Sequence, residues 1–256
     1  MQFIDTHSHL FLSQFNEDSD LVVQRALDAG VSHMLLPNVD HSTIKDMFDL
    51  TRKYPDICFP MVGLHPTSVD QHYVINMNTI EKYINESVVA IGEIGIDLYW
   101  DKTWYQQQVH AFKYQIALAR EYGLPIVIHA RESFSVIFEV LDSIDLTGVK
   151  GVFHSFTGSL EEANKILSYN KFMLGIGGIL TFKNARLDEV VHQIDLKHIV
   201  LETDSPYLAP VPYRGKRNES SYLIKIAEKL AEIKHTTLEE VSKITTCNAK
   251  ELFHLE

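Results

Sequence analysis

The residues of this chain that could do chemistry stand at the ends of its apolar runs. Phe3-Ile4 leads into Asp5-Thr6-His7-Ser8-His9, and a β-strand, with its side-chain period of two, aims His7 and His9 to the same side. Two neutral imidazoles converging in this way make half of a metal site, although a His-x-His pair standing alone is more often two ordinary histidines. The pair gains force from the later apolar runs. Ala90-Ile91-Gly92 ends in Glu93, Ile126-Val127-Ile128 in His129, Val152-Phe153 in His154, and Val200-Leu201-Glu202-Thr203 in Asp204. Ligand-type side chains therefore close apolar runs from the beginning of the chain to near its end. His33, His41, His72, His110, His192, His198, His235 and His254 lack this placement and are expected at the surface or in packing roles.

Four imidazoles and two carboxylates are too many ligands for one tetrahedral zinc with an open position, but they fit two divalent ions that share a carboxylate. The expected division is His7, His9 and Asp204 on one ion, His129 and His154 on the other, and Glu93 as the bridge. A mixed nitrogen and oxygen set suits zinc, manganese or iron, whereas magnesium or calcium prefers more oxygen. The cofactor expected is two divalent metal ions, with zinc, magnesium and manganese all left open. Such a pair activates water and neutralises charge during in-line displacement at a phosphodiester. Glu93 and Asp204 are the catalytic candidates. For Asp204 two roles stand side by side, general base toward the attacking water and ligand only.

The elements that must position these residues alternate regularly. Strands are expected near residues 2–6, 32–36, 58–62, 89–91, 125–128, 151–153, 172–174 and 199–202, most of them one βα unit apart. Between them lie helical stretches at 18–29, 42–53, 79–85, 106–122, 133–141, 159–167, 184–193, 220–233 and 237–252. Gly30 and Gly123 stop two of these, and Ser159 with Glu162 makes a capping box for a third. An open doubly wound sheet would have the same alternation. A closed TIM (β/α)8 barrel is preferred because it brings all eight strand ends to one mouth, whereas an open sheet leaves the outer ends far apart. Residues 1–256 are expected to form a single barrel domain of the length usual for that fold.

Composition narrows the function. Lys and Arg number 23 against 34 Asp and Glu, a formal net charge of −11 that opposes sequence-independent grip on nucleic acid. Any phosphate-binding cations must therefore be local, and divalent metals are the obvious source. Cys58 and Cys247 stand in no paired spacing, which speaks against a disulfide framework or a thiolate zinc site and for inert thiols in a reducing cytosol. No apolar stretch approaches membrane-spanning length and no leader precedes the first strand, so a soluble, cytoplasmic protein without an obligate protein partner is expected.

In order along the chain, Asp5-Thr6-His7-Ser8-His9, Gly63-Leu64-His65-Pro66, Gly92-Glu93-Ile94-Gly95-Ile96-Asp97, Pro125-Ile126-Val127-Ile128-His129-Ala130-Arg131, Phe153-His154-Ser155-Phe156-Thr157-Gly158 and Glu202-Thr203-Asp204-Ser205-Pro206-Tyr207-Leu208 resemble the signatures of the TatD-type metal-dependent hydrolases. The resemblance covers nearly the whole chain. It implies a metal-dependent barrel related to the amidohydrolases, with deoxyribonuclease activity of the 3′ to 5′ exonuclease type. Ser220 stands where that family typically has proline, and Ser155 and Thr157 where Cys and Ser are frequent. None of these is a proposed ligand. Wider amidohydrolase relatives often bridge two metals with a modified lysine from strand four, and Glu93 at that place favours the TatD branch.

The substrate side is less determined. His65 could meet a phosphate or simply stabilise its loop, and Asp97 and Arg131 could position substrate, orient the ligand histidines or pair with each other. Glu202 could support a histidine ligand. Arg214, Lys216 and Arg217 form the dense basic cluster expected near the mouth, for phosphate contact or as a solvated loop. Tyr99, Trp100, Trp104 and Tyr105 could stack on unpaired bases or pack on the following helix. DNA, single-stranded or at frayed ends, is the leading substrate, since an acidic exterior gives little hold on a long duplex. A small amide, ester or lactone is the alternative, because a binuclear centre attacks carbonyl carbon as readily as phosphorus. A barrel kept as a scaffold ranks below both.

Overall fold

A computed structural model describes residues 1–256, and each apolar run of the sequence becomes a strand. The strands are β1 (Phe3–Asp5), β2 (Val31–Pro37), β3 (Cys58–Val62), β4 (Ala90–Asp97), β5 (Ile126–Arg131), β6 (Gly151–Phe153), β7 (Phe172–Ile176) and β8 (Ile199–Leu201). They pair in sequence order, every pair parallel. The seam between β1 and β8 closes just beyond their ends. Thr6 N–H donates to Leu201 O at 3.0 Å, Asp204 N–H to His7 O at 2.9 Å and His9 N–H to Ser205 O at 2.7 Å. The sheet is thereby an eight-stranded parallel barrel, as the scatter of strand-end ligands required.

Around it lie α1 (Ser19–Asp28), α2 (Ile44–Lys53), α3 (Tyr73–Glu81), α4 (Tyr105–Tyr122), α5 (Phe134–Asp142), α6 (Leu160–Ser168), α7 (Leu187–Gln193), α8 (Leu223–Lys234) and α9 (Leu238–Phe253). Helix ends follow the sequence signals. Gly123, at φ 68°, ends α4, and Ser159 with Glu162 forms the reciprocal capping box of α6. Helix α3 begins six residues before the expected start at Thr79, because Tyr73, Met77 and Ile80 already supply an apolar i, i+4, i+7 stripe, with Met77 and Ile80 buried. Helix α8 starts at Leu223, after a 3-10 turn over Ser220–Tyr222. No helix is long and apolar enough to cross a membrane.

Two apolar layers hold the barrel. Outward strand residues pack under the helices, for example against Val22 and Ala26 of α1 and Phe112 and Ile116 of α4. Inside, Ile4, Leu35, Met61, Ala90, Val127, Val152 and Val200 come from seven different strands and meet Leu252 and Phe253 of α9, with Met173 of β7 against them. Two residues further along β5, β6 and β8 stand His129, His154 and Glu202, so this plug fills the N-terminal end and leaves the C-terminal end to polar groups. Asn248 anchors α9 there by donating to Leu196 O and Ile199 O at 2.8 and 2.7 Å.

Candidate metal centre

Strand β4 shows how local sequence turns ligands inward. Ala90 faces the interior, and simple alternation would send Ile94 and Ile96 after it. Four residues of β4, Ile91 to Ile94, instead oppose only three of β5, Ile126 to Ile128. That one-residue bulge reverses the parity, so Glu93 and Asp97 point inward and Ile94 and Ile96 enter the outer core. Both β4 and β5 run further than expected, to Asp97 and Arg131, so Glu93 and His129 lie within strands. Gly95, at φ 144°, fits because a Cβ there would collide with the His129 carbonyl.

The other five expected ligands gather around Glu93. Its Oε2 lies 3.2 Å from His7 Nε2 and 3.8 Å from His9 Nε2. Its Oε1 lies 2.8 Å from His129 Nδ1, 3.1 Å from His154 Nε2 and 3.4 Å from His65 Nε2. Asp204 Oδ1 completes the first group, 3.5 Å from His9 Nε2 and 3.8 Å from His7 Nε2, and these two nitrogens are 3.2 Å apart. Around a tetrahedral ion with bonds of about 2.1 Å, ligand atoms stand roughly 3.4 Å from one another. The spacings bracket that value, so His7, His9 and Asp204 make one donor group fit for a divalent ion and His65, Glu93 and His129 another, while His154, beside Glu93 Oε1, also groups with His7 and Glu202. His65 joins the second group, 3.3 Å from His129 Nδ1, and so stands among donor atoms as well as at the cavity wall.

Supporting groups fix the ligands. His9 Nδ1 faces Pro37 O at 3.1 Å, and His129 Nε2 faces Asp97 Oδ2 at 2.8 Å. Glu202 accepts from Ser155 N–H and brings Oε1 within 3.2 Å of His154 Nδ1, though without hydrogen-bond alignment. Glu202 fits because Gly175 has no Cβ to strike its Oε2. Asp204 has φ 56°, a left-handed conformation costing about 1–3 kcal/mol in a non-glycine residue. Its neighbours hold it: Asn218 Nδ2 donates to Thr203 O and Tyr207 O, both at 2.7 Å, and Asp5 Oδ2 accepts from Thr203 Oγ1 at 2.6 Å.

Electrostatics keep the carboxylates charged. Burial alone would raise the Glu93 carboxyl, but His154, His65 and His7 outweigh it and hold it well below its ordinary value. Asp204 is likewise lowered against its burial, by His9 and His154. Burial lowers His7 and His65, and for His7 the neighbouring His154 adds to it. Burial would also lower His129 and His154. The carboxylates of Asp97 and Glu93 raise the former, and those of Glu93 and Glu202 raise the latter well above its ordinary value.

A cavity of about 490 Å³ opens onto this cluster, with Trp100, Arg131, Tyr207 and Leu208 in its wall. The basic residues expected beside it divide. Arg131 is there, while Arg214 and Lys216 do not line the cavity: Arg214 stacks over Phe182 at 4.1 Å and Lys216 lies 5.9 Å from the Tyr213 ring. Arg217 is bound to Asp18 at 2.7 and 2.8 Å. A shallower depression of about 610 Å³ between Arg25, Lys216 and Arg217 has its arginines tied to Asp18 and Glu219.

Sequence reasoning missed the groups that carry the loops. Asn38 pins Gly63 through both N–H and C=O, and Gln115 does the same for Leu64, which fixes the segment entering His65. Gln108 accepts from Asp97 N–H. Gln108 and Gln115 are buried two turns apart on the apolar face of α4, and polar residues on such a stripe were the available signal.

Barrel and donor set together define the class of metal-dependent hydrolases. A family model described as TatD related DNase matches residues 4–254, and the chain belongs to that family. It is 40% identical over 253 residues to the uncharacterized metal-dependent hydrolase YabD of Bacillus subtilis, covering 98% of each chain. It is 31% identical over 258 residues to the 3'-5' ssDNA/RNA exonuclease TatD of Erwinia tasmaniensis, covering 98% of this chain and 99% of the relative. The crystal structure of YjjV, a TatD homologue from Escherichia coli K12, superposes with a TM-score of 0.93 at 28% identity, covering 99% of this chain and 98% of that one.

Proposed function

We propose that this metal-dependent hydrolase is a deoxyribonuclease that removes nucleotides from single-stranded or frayed DNA in the 3′ to 5′ direction. The carrying observation is Arg131. Its guanidinium makes no ion pair or hydrogen bond within the protein, yet it is held at the wall of the cavity that contains Glu93, His129, His154 and Asp204. An unpaired guanidinium beside a set of metal ligands suits a phosphodiester oxygen. The exonuclease name of the Erwinia relative supports the same reading.

His7, His9 and Asp204 would hold one divalent ion, His129 and His154 with His65 the other, and Glu93 both. Bound there, the ions lower the pKa of water and neutralise charge on the phosphodiester. Asp204 lines the same cavity, and its carboxylate oxygen other than the Oδ1 turned to His7 and His9 would take the proton of the attacking water. Arg131 orients the phosphate, and the ionised state of Asp204 leaves it free to accept a proton.

The test is release of mononucleotides from a single-stranded oligodeoxynucleotide with zinc, magnesium or manganese. Release that is abolished by chelator and by His129→Ala is the expected result. No release with any of these ions, together with turnover of a panel of lactones, esters and amides, would replace the phosphodiester reading with the carbonyl one.

A further inference from the structure

The wall of the cavity carries an aromatic surface that the hydrolytic centre does not use. Trp100 is 69% exposed and Tyr99 49% exposed, although large aromatic side chains ordinarily gain by burial. The Arg131 guanidinium lies 3.9 Å from the centre of the Tyr99 ring and 5.2 Å from that of Trp100. Stacking on Tyr99 holds the arginine in place while leaving its N–H groups free.

The turn that carries these rings is tied to the ligands. Asp97 Oδ1 accepts from Tyr99 N–H at 3.0 Å and Trp100 N–H at 3.1 Å, while its Oδ2 faces His129 Nε2. Leu98 N–H donates to Arg131 O at 3.0 Å, closing the turn onto β5. One carboxylate thus fixes both a metal-ligand histidine and the backbone of the aromatic pair, so the rings stand at a set position relative to the hydrolytic centre.

We propose that Tyr99, Trp100 and Arg131 form a subsite for an unpaired nucleobase and its phosphate, with the exposed indole of Trp100 as the face on which the 3′-terminal base stacks. The proposal rests on the nuclease reading and names the group that gives it preference for unpaired ends. A base can lie on the indole only after leaving its own helical stack, so a duplex end must fray first. Stacking of this kind accepts any base, because each presents a π-face. Trp100 touches the base and not the reacting atoms, so it acts on KM and leaves kcat in place.

The chain has two tryptophans, and Trp104→Phe leaves Trp100 as the sole indole reporter. That variant, loaded with metal, is titrated with a phosphorothioate-linked single-stranded oligodeoxynucleotide, and with the same oligonucleotide carrying an abasic 3′-terminal residue. Quenching by the first and little by the second is expected. Equal quenching by both would overturn the proposal, because the contact would then be with the backbone alone. In kinetics on the hydrolysable oligonucleotides, Trp100→Ala is expected to raise KM about tenfold or more on the intact end and to leave the abasic end unchanged. Trp100→Phe should restore most of the loss. An equal rise on both substrates would overturn the stacking role. The titration needs no turnover, so it reads the subsite even if nucleotide release fails and the nuclease reading falls.

Discussion

Asp97 Oδ2 sits 2.8 Å from His129 Nε2, on the opposite edge of the ring from the Nδ1 that meets Glu93 Oε1 at 2.8 Å. The ring is clamped between two carboxylates, with Nδ1 turned to the ligand cluster. Asp97→Asn keeps an oxygen for the Tyr99 and Trp100 N–H groups but removes the charge behind His129. Divalent-ion affinity should fall by about 10–100-fold, measured by competition with a chromogenic chelator. Unchanged affinity would confine Asp97 to holding the turn.

Asn218 bridges Thr203 O and Tyr207 O across the strained Asp204. Asn218→Ala leaves the buried Thr203 carbonyl and the partly buried Tyr207 carbonyl without their donor, at about 1–3 kcal/mol for the buried one and less for the other. Urea unfolding should show a loss of about 2–4 kcal/mol, accompanied by weaker metal binding as Asp204 is released. A stable variant with intact metal affinity would show that the β8 loop holds Asp204 without this clamp.

Asp18 is lowered to about 2, first by its hydrogen bonds to Arg217 against a smaller opposing effect of burial, and also by Arg25. A carboxyl depressed in the folded state contributes stability that is complete above its ordinary value of 3.8 and is lost as pH falls toward 2. Asp18→Asn should therefore lower the unfolding midpoint at pH 7, and the gap to wild type should close between about pH 4 and 2. A gap independent of pH would mean that the charge of Asp18 contributes nothing.

Cys58 is buried and its thiol is pushed up to about 12 by burial, while Cys247 is exposed. At pH 8 the thiolate fraction of Cys58 is on the order of 10⁻⁴. A thiol reagent should modify one cysteine per native chain, and two after unfolding in urea. Rapid reaction of both in the native protein would show that the β3 region opens readily.

The barrel and the gathering of six ligand-type side chains at one mouth were legible because strand-end residue types are a local property and strand order follows chain order. The parity of β4 was not, since a bulge between Ile91 and Ile94 leaves no mark that alternation alone can read. His65 is brought to Glu93 by Asn38 and Gln115, which act from other elements on the segment before it. Arg217 looked available to phosphate in the sequence, and its partner Asp18 lies 199 residues away. Charge on a string of residues says nothing of which acid will fold against it.

The β1–β8 seam, with Thr6 bound to Leu201 across 195 residues, also sets an order of events during synthesis. At about 5–20 residues per second, the first strand is made roughly 10–40 s before its partner β8 exists. His7 and His9 wait with it, while Asp204 has yet to be made. An ion that needs His7, His9 and Asp204 together would therefore be locked in place only after the eighth strand has emerged, later than one held by His65, Glu93 and His129.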